Sequence, residues 1–465
     1  MLLTAIIIYL ALTVAVGAWS SRLVKNSNDF VLAGRSLPLF LSASALFATW
    51  FGSETIFGAS SVYLEEGLLG VIEDPFGGAL CLILFGMFYL RPMYSMNVLT
   101  IGDVFKKIFG KRIEFFASVF MIPAYFGYVA AQLVALSLVL GAVTDLTMVQ
   151  GILVSAGIVV FYTFLGGMWA ISITDFIQTT MIVVGLVWVA IMVANEAGGI
   201  GNIIDQAPPE SFQFFPENTL NGWTNYFGAW IILGLGSIPS QDIYQRVMSS
   251  KSEKVAVQST YLAGIFYLTF GLLPLFIALG SKVLYPELYL ENKQMLLPSM
   301  VLQHGGLPIQ IVFFGALISA IMSTTSSGLL APAAIISENL IKPYFHKKLN
   351  DKHFLWILRI NIIIVALIAT VMASLESNIY ELVAGASILM LVSLFVPLTA
   401  GLYWKKASHM GALMSMVFGM IGYLAASNVG LEDHAHLIGL GTSILSMIFG
   451  SLSFPEKHKT ANELS

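Results

Sequence analysis

The amino-acid sequence predicts an all-α integral membrane protein of about 13 transmembrane helices built around a 5+5 inverted-repeat core. Three observations carry that prediction. Of 465 residues, 57% are hydrophobic and only 10% charged, whereas soluble domains carry about 25% charged residues. Apolar stretches of about 20 residues, enough for a helix to cross a bilayer, recur from one end of the chain to the other. Two of them, the second and the seventh, are interrupted by small and hydroxyl-bearing residues. They lie five spans apart, so they run in opposite directions, as matching breaks in two oppositely oriented five-helix units must.

In order, the spans fall at roughly 2–20, 39–61, 72–94, 113–143, 149–165, 172–195, 222–247, 256–281, 308–339, 355–375, 378–404, 410–428 and 433–454. No basic residue precedes the first, and Arg22 and Lys25 follow it; a signal peptide has the opposite polarity. The expectation is a retained span with its N-terminus outside. Spans two to six and seven to eleven form the two units. The organisation is then residues 1–38 as a peripheral helix and inner loop, 39–200 and 201–405 as the five-helix repeats, and 406–465 as two peripheral helices with a short cytoplasmic tail. The single cysteine, Cys81, excludes a disulfide framework or a cysteine-based metal site.

Charge tests this order. Twenty of the 22 Lys and Arg residues fall on one side, from Arg22, Lys25 and Arg35 through Lys347 and Lys348 to Lys457 and Lys459, and only Lys282 and Lys293 fall on the other. Cytoplasmic loops attract Lys and Arg, and a span missed in mid-chain would scramble the partition. The expected localisation is multi-pass in a plasma membrane, of bacterial inner-membrane type, with the C-terminus cytoplasmic. The outer segment from Ser281 to Pro308 is amphipathic enough for a small interfacial helix, and Glu73 and Asp74 are expected at an outer helix end, capping or solvated.

The second span carries Ala48-Thr49-Trp50-Phe51-Gly52-Ser53-Glu54-Thr55 at mid-depth. In hydrocarbon every backbone polar group needs a partner, so a helix opens only where protein or a watery cavity receives the freed groups. The seventh span carries a matching Leu233-Gly234-Leu235-Gly236-Ser237-Ile238-Pro239-Ser240-Gln241-Asp242. Broken helices of this kind present carbonyls to ions and helix ends to solutes. The ninth span contains Ser323-Thr324-Thr325-Ser326-Ser327. Residues 320, 323 and 324 share one helical face, as do 323, 326 and 327. Sodium, a hard cation, takes several oxygens, and these hydroxyls with the carbonyls of the opened helix can supply five. The ordinary alternative is a hydroxyl-rich helix contact with back-bonding to carbonyls one turn earlier. Asp175 and Glu54 are carboxylates at depth, which face a bundle interior and bind cations or protons. Asp242 and Arg246, one turn apart, read as a structural pair.

These residues carry a resemblance to the sodium:solute symporter family, with its leucine-transporter-like core, over about residues 1–455. Tyr162-Thr163-Phe164-Leu165-Gly166-Gly167-Met168-Trp169-Ala170 resembles the family signature, followed by Thr174-Asp175, Gln178, Gln245-Arg246-Val247 and Ala320-x-x-Ser323-Thr324. The resemblance implies a main sodium site from the carbonyls of Ala48, Phe51 and Ala320 with the hydroxyls of Ser323 and Thr324. It also implies a second sodium site from Asp175, Ser323, Ser326 and Ser327, hence one or two Na+ ions. Ala48-Thr49-Trp50 and the stretch from Ile238 to Ser250 look most like the choline-transporting branch. The aromatic candidates for a quaternary-ammonium cage are Trp50, Phe51, Tyr125, Phe126, Tyr128 and Tyr244. Ser240 stands where that branch has tryptophan, and Glu54 where it has no acid.

The expected substrate contacts are Trp50, Glu54, Tyr128, Ser240 and Tyr244. The expected activity is sodium-coupled import of a small organic solute, an amino acid or a choline-like amine, by alternating access. The rival readings are proton coupling through Asp175 or Glu54 and a solute sensor that does not translocate. A signalling module, which a sensor would need, is not expected in the eleven residues after Phe454. An enzyme would need convergent acid, base or metal groups at depth, and the histidines fall in loops or at span ends. The expected partners are a small-molecule substrate and the lipid bilayer, with no nucleic acid and no obligatory protein partner.

Overall fold

The computed structural model describes residues 1–291, 293–345, 350–375 and 378–455. Lys347, Lys348, Lys457 and Lys459 of the charge partition lie outside the described residues, as does the side chain of Tyr162. The helices that matter here are α1 (Leu2–Ser20), α2 (Leu39–Trp50), α3 (Ala59–Gly70), α4 (Ile72–Ser95), α5 (Lys111–Val143), α6 (Met148–Glu196) and α7 (Leu220–Gly236). They are followed by α8 (Gln241–Ser249), α9 (Glu253–Leu284), α10 (Leu307–Ile335), α11 (Asp351–Leu375), α12 (Ile379–Tyr403), α13 (His409–Asn428) and α14 (Ala435–Ser453).

Among the described residues, ten helices are long and apolar enough to cross a membrane. The other three expected spans are also helical, but shorter. The second and seventh are cut by their breaks into α2 and α3, and α7 and α8. The fifth is the apolar helix Met148–Phe161, the first arm of α6. In the outer segment, two short helices, Pro286–Glu291 and Leu296–His304, stand where one interfacial helix was expected.

The expected spans five and six are distinct arms of α6, and they are parted by a kink. Helix α6 is interrupted at a single residue, Gly167, at φ 49° and ψ −145°. That backbone is open to glycine and strained for any residue with a Cβ. A Cβ there would also run into the backbone oxygen and ring of Phe30. The turn is therefore made by one tightly packed glycine rather than by a loop.

Helix α10 is the centre of the molecule. Every residue from Phe313 to Ile335 is buried, including all five consecutive hydroxyl residues. A helix apolar on all sides needs neighbours on all sides, and α10 packs against α6, α5, α11 and α2. Helix α2 packs in turn against α6, α8 and α9. Helices α13 and α14 pair with each other, and α1 lies against α6 and α10.

Candidate functional site

The last carbonyls of any helix have no partner inside it. Helix α2 ends at Trp50, and Phe51 leaves helical geometry at ψ 75°. The chain resumes helical winding at Glu54 in a π-helical turn, Glu54–Gly58, that runs into α3. Three consecutive carbonyls at this end are each met by a hydroxyl from a different helix. Thr324 of α10 donates to Ala48 O at 3.2 Å. Tyr128 of α5 donates to Thr49 O at 2.8 Å, and Tyr267 of α9 lies 3.1 Å from Trp50 O. On the other side of the gap, Gln132 of α5 accepts from the Ser53 N–H at 3.0 Å and donates to Glu54 Oε2 at 2.7 Å. The break is thus a built feature with its backbone groups received by side chains.

Gly52 sits in the gap for want of room. A Cβ on it would lie 2.7 Å from Thr324 Oγ1 and 2.8 Å from both Gln132 Oε1 and Glu54 Oε2. The ninth-span hydroxyls and the opened second span are therefore in direct contact. Ala48, Phe51, Ala320, Ser323 and Thr324 are all buried, the last two at 0% exposure.

Asp175, in the second arm of α6, is likewise fully buried. It accepts a 2.5 Å hydrogen bond from Ser323, so it faces the bundle interior. Ser326 and Ser327 each donate to Ser323 O at 2.9 Å. Ser323 thus touches both proposed ion clusters. Arg246 Nη2 is hydrogen-bonded to Ser327 Oγ and lies 4.0 Å from Asp175 Oδ2.

At the second break, Ser240 occupies the N-cap position of α8 without making a side-chain cap. Tyr125 of α5 does that work. Its hydroxyl accepts from the N–H groups of Gln241 and Asp242 at 2.7 and 3.1 Å and donates to Asp242 Oδ1 at 2.8 Å. Asp242 Oδ2 accepts from Trp50 Nε1 at 2.9 Å, which ties the two broken helices together. Between them lies a cavity of about 30 Å³ lined by Trp50, Tyr125, Tyr128, Ser237, Ser240, Asp242, Ala386, Ser387 and Met390. That volume holds little more than one water. The Ser240 hydroxyl is buried there without a hydrogen-bond partner. A larger cavity of about 670 Å³ lies beside Gly58 and is lined by Glu65, Glu66, Glu381 and Lys293 among others.

The structure brings Trp50, Tyr128 and Ser240 of the expected substrate contacts to one cavity, and leaves two out. Tyr244 is fully buried with its hydroxyl on Val98 O at 3.0 Å, and Glu54 is held by Gln132. Phe51 packs on Phe47 and Tyr267 rather than lining the cavity. Two further readings are corrected. Asp242 bonds to Trp50 and Tyr125 while Arg246 turns to Asp175 and Ser327, so the expected Asp242–Arg246 pair does not form. Glu73 and Asp74 are buried rather than solvated, and Thr55 and Tyr267 bond Asp74 at 2.8 and 2.6 Å. Sequence reasoning missed Asp242, Gln132 and Ser237 as site residues. The signal for Asp242 was its place directly after the second break.

The chain matches the family described as "Sodium:solute symporter family" over residues 30–419. It is similar to the high-affinity choline transporter 1 of Drosophila melanogaster, 30% identical over 459 residues that cover 95% of this chain and 72% of that protein. It is also similar to the high-affinity proline transporter PutP of Bacillus subtilis, 26% identical over 94% of this chain and 95% of that one. Among solved structures, a substrate-bound, outward-open Na+-coupled sialic acid symporter superposes with a TM-score of 0.84 at 19% identity, covering 99% of both chains. A nucleobase-cation-symport-1 family transporter in a closed conformation with bromovinylhydantoin bound gives 0.62 at 16% identity, over 95% of this chain and 99% of that chain. Fold and sequence agree: an all-helical membrane protein of the leucine-transporter-like fold, this chain belongs to the sodium:solute symporter family and is a sodium-coupled solute symporter.

Proposed function

We propose that the chain imports a small amine-bearing solute, an amino acid or a choline-like amine, through the cavity between the two broken helices. The observation that carries this reading is Asp242, a buried carboxylate held by Trp50 and Tyr125 at the cavity wall. A carboxylate among aromatic faces suits an organic cation. The larger cavity supports the same sign of charge: it has three carboxylates, Glu65, Glu66 and Glu381, to one lysine, and a field of that sign concentrates cations. The names of relatives that carry choline and proline fit the same class.

In this reading the main sodium ion sits on the carbonyls of Ala48, Phe51 and Ala320 and the hydroxyls of Ser323 and Thr324. The contact between Thr324 and Ala48 O supports it, because two of the five oxygens already meet. Sodium there draws α2 onto α10 and fixes the break, and with it Trp50 at the solute cavity. The second site would use Asp175, Ser323, Ser326 and Ser327. The same reading takes 39–200 and 201–405 as the two repeats, with the N-terminus outside and the C-terminus cytoplasmic. One sodium crossing about 100 mV supplies about 2.3 kcal/mol, and a tenfold gradient about 1.4 more. Together they support roughly 500-fold accumulation of a neutral solute.

The test is a thermal-shift and counterflow screen of the purified protein with choline, betaine, proline, glucose and lactate, each with and without sodium. Stabilisation and exchange by choline, betaine or proline only in sodium support the reading. A response confined to glucose or lactate overturns it.

A further inference from the structure

Arg246 is among the largest fully buried side chains of the molecule. It sits on α8, one half of the second broken helix, and reaches across to α6 and α10. Its Nη2 is hydrogen-bonded to Ser327 Oγ and lies 4.0 Å from Asp175 Oδ2. Nε and Nη1 have no hydrogen-bond partner, and neither does Asp175 Oδ2. Asp242, the acid on its own helix, is taken by Trp50 and Tyr125. The guanidinium therefore reaches both Asp175 and Ser327, the groups a sodium ion would have to bridge, and among the described residues its polar atoms make no other hydrogen bond.

A buried charge is tolerated when it is paired. Asp175 brings one negative charge and Arg246 one positive, so the cluster is already neutral. A sodium ion beside both would leave two cations against one carboxylate in a fully buried site. We propose that Arg246 is the resident cation of the Asp175 site. Sodium binds Asp175, Ser323, Ser326 and Ser327 only when the guanidinium leaves, and the wild-type chain holds one sodium, at the main site. The inference rests on reading those four residues as potential sodium ligands. It also gives Arg246 a second effect, since the same contact clamps α8 to α6 and α10.

The experiment counts ions rather than transport. Purified full-length protein in nanodiscs is titrated with radioactive sodium to saturation, for the wild type, Arg246→Gln and Asp175→Asn. The expected result is one ion per chain in the wild type, two in Arg246→Gln and one in Asp175→Asn. Two ions in the wild type falling to one in Asp175→Asn would overturn the proposal, and so would a folded Arg246→Gln that still binds one. If Arg246→Gln does not fold, the wild-type and Asp175→Asn counts decide. No saturable binding by the wild type would overturn the sodium-site reading itself, and the inference with it.

Discussion

Replacing Gly52 by alanine probes the junction of the broken helix with the hydroxyl helix. Gly52 is not among the glycines at positive φ, so the backbone would accept alanine, and the whole effect comes from the added methyl. That methyl would lie 2.7 Å from Thr324 Oγ1 and 2.8 Å from Gln132 Oε1 and Glu54 Oε2. None of the three can yield freely. Thr324 is on Ala48 O, Gln132 holds the Ser53 N–H, and Glu54 is held by Gln132. Overpacking of this kind costs about 1–3 kcal/mol. The most direct relief moves Thr324 away from Ala48, which are two of the proposed sodium oxygens. Sodium affinity is then expected to fall about 5- to 150-fold, at about 1.4 kcal/mol per tenfold. Direct sodium binding to purified, monodisperse Gly52→Ala protein measures this. Wild-type sodium affinity in the folded variant would refute the proposed contact between ion site and break.

Three other outcomes follow from the same geometry. Thr324→Ala removes a hydroxyl from Ala48 O and is expected to raise the sodium concentration for half-maximal uptake about 5- to 12-fold, at about 1–1.5 kcal/mol per hydrogen bond; unchanged sodium activation contradicts the site. Trp50→Phe keeps the ring and removes the Nε1 donor to Asp242. A hydrogen bond to a charged group is worth about 1.5–3 kcal/mol, so apparent solute affinity should drop about 10- to 150-fold with sodium binding kept; equal loss of both would mean general damage. Gly167→Ala forces a Cβ into a φ 49° backbone against Phe30. Its unfolding temperature should fall by several degrees, and an unchanged value would show that α6 rebuilds its turn without strain.

Apolar length and the charge partition determined the membrane class and the order of spans, because hydrocarbon imposes one requirement on every span regardless of its neighbours. Sequence also located both breaks, since Phe51-Gly52-Ser53 and Ser237 to Ser240 are poor choices for a continuous helix at depth. The tertiary structure alone decided the partners. Tyr125, not Ser240, caps α8, because its hydroxyl arrives from α5, 116 residues away in the chain. Arg246 faces Asp175 instead of Asp242, because Trp50 and Tyr125 had already taken Asp242. A single chain records which groups need a partner at depth. Which group answers depends on how helices distant in sequence are packed, and that is settled only when the bundle closes.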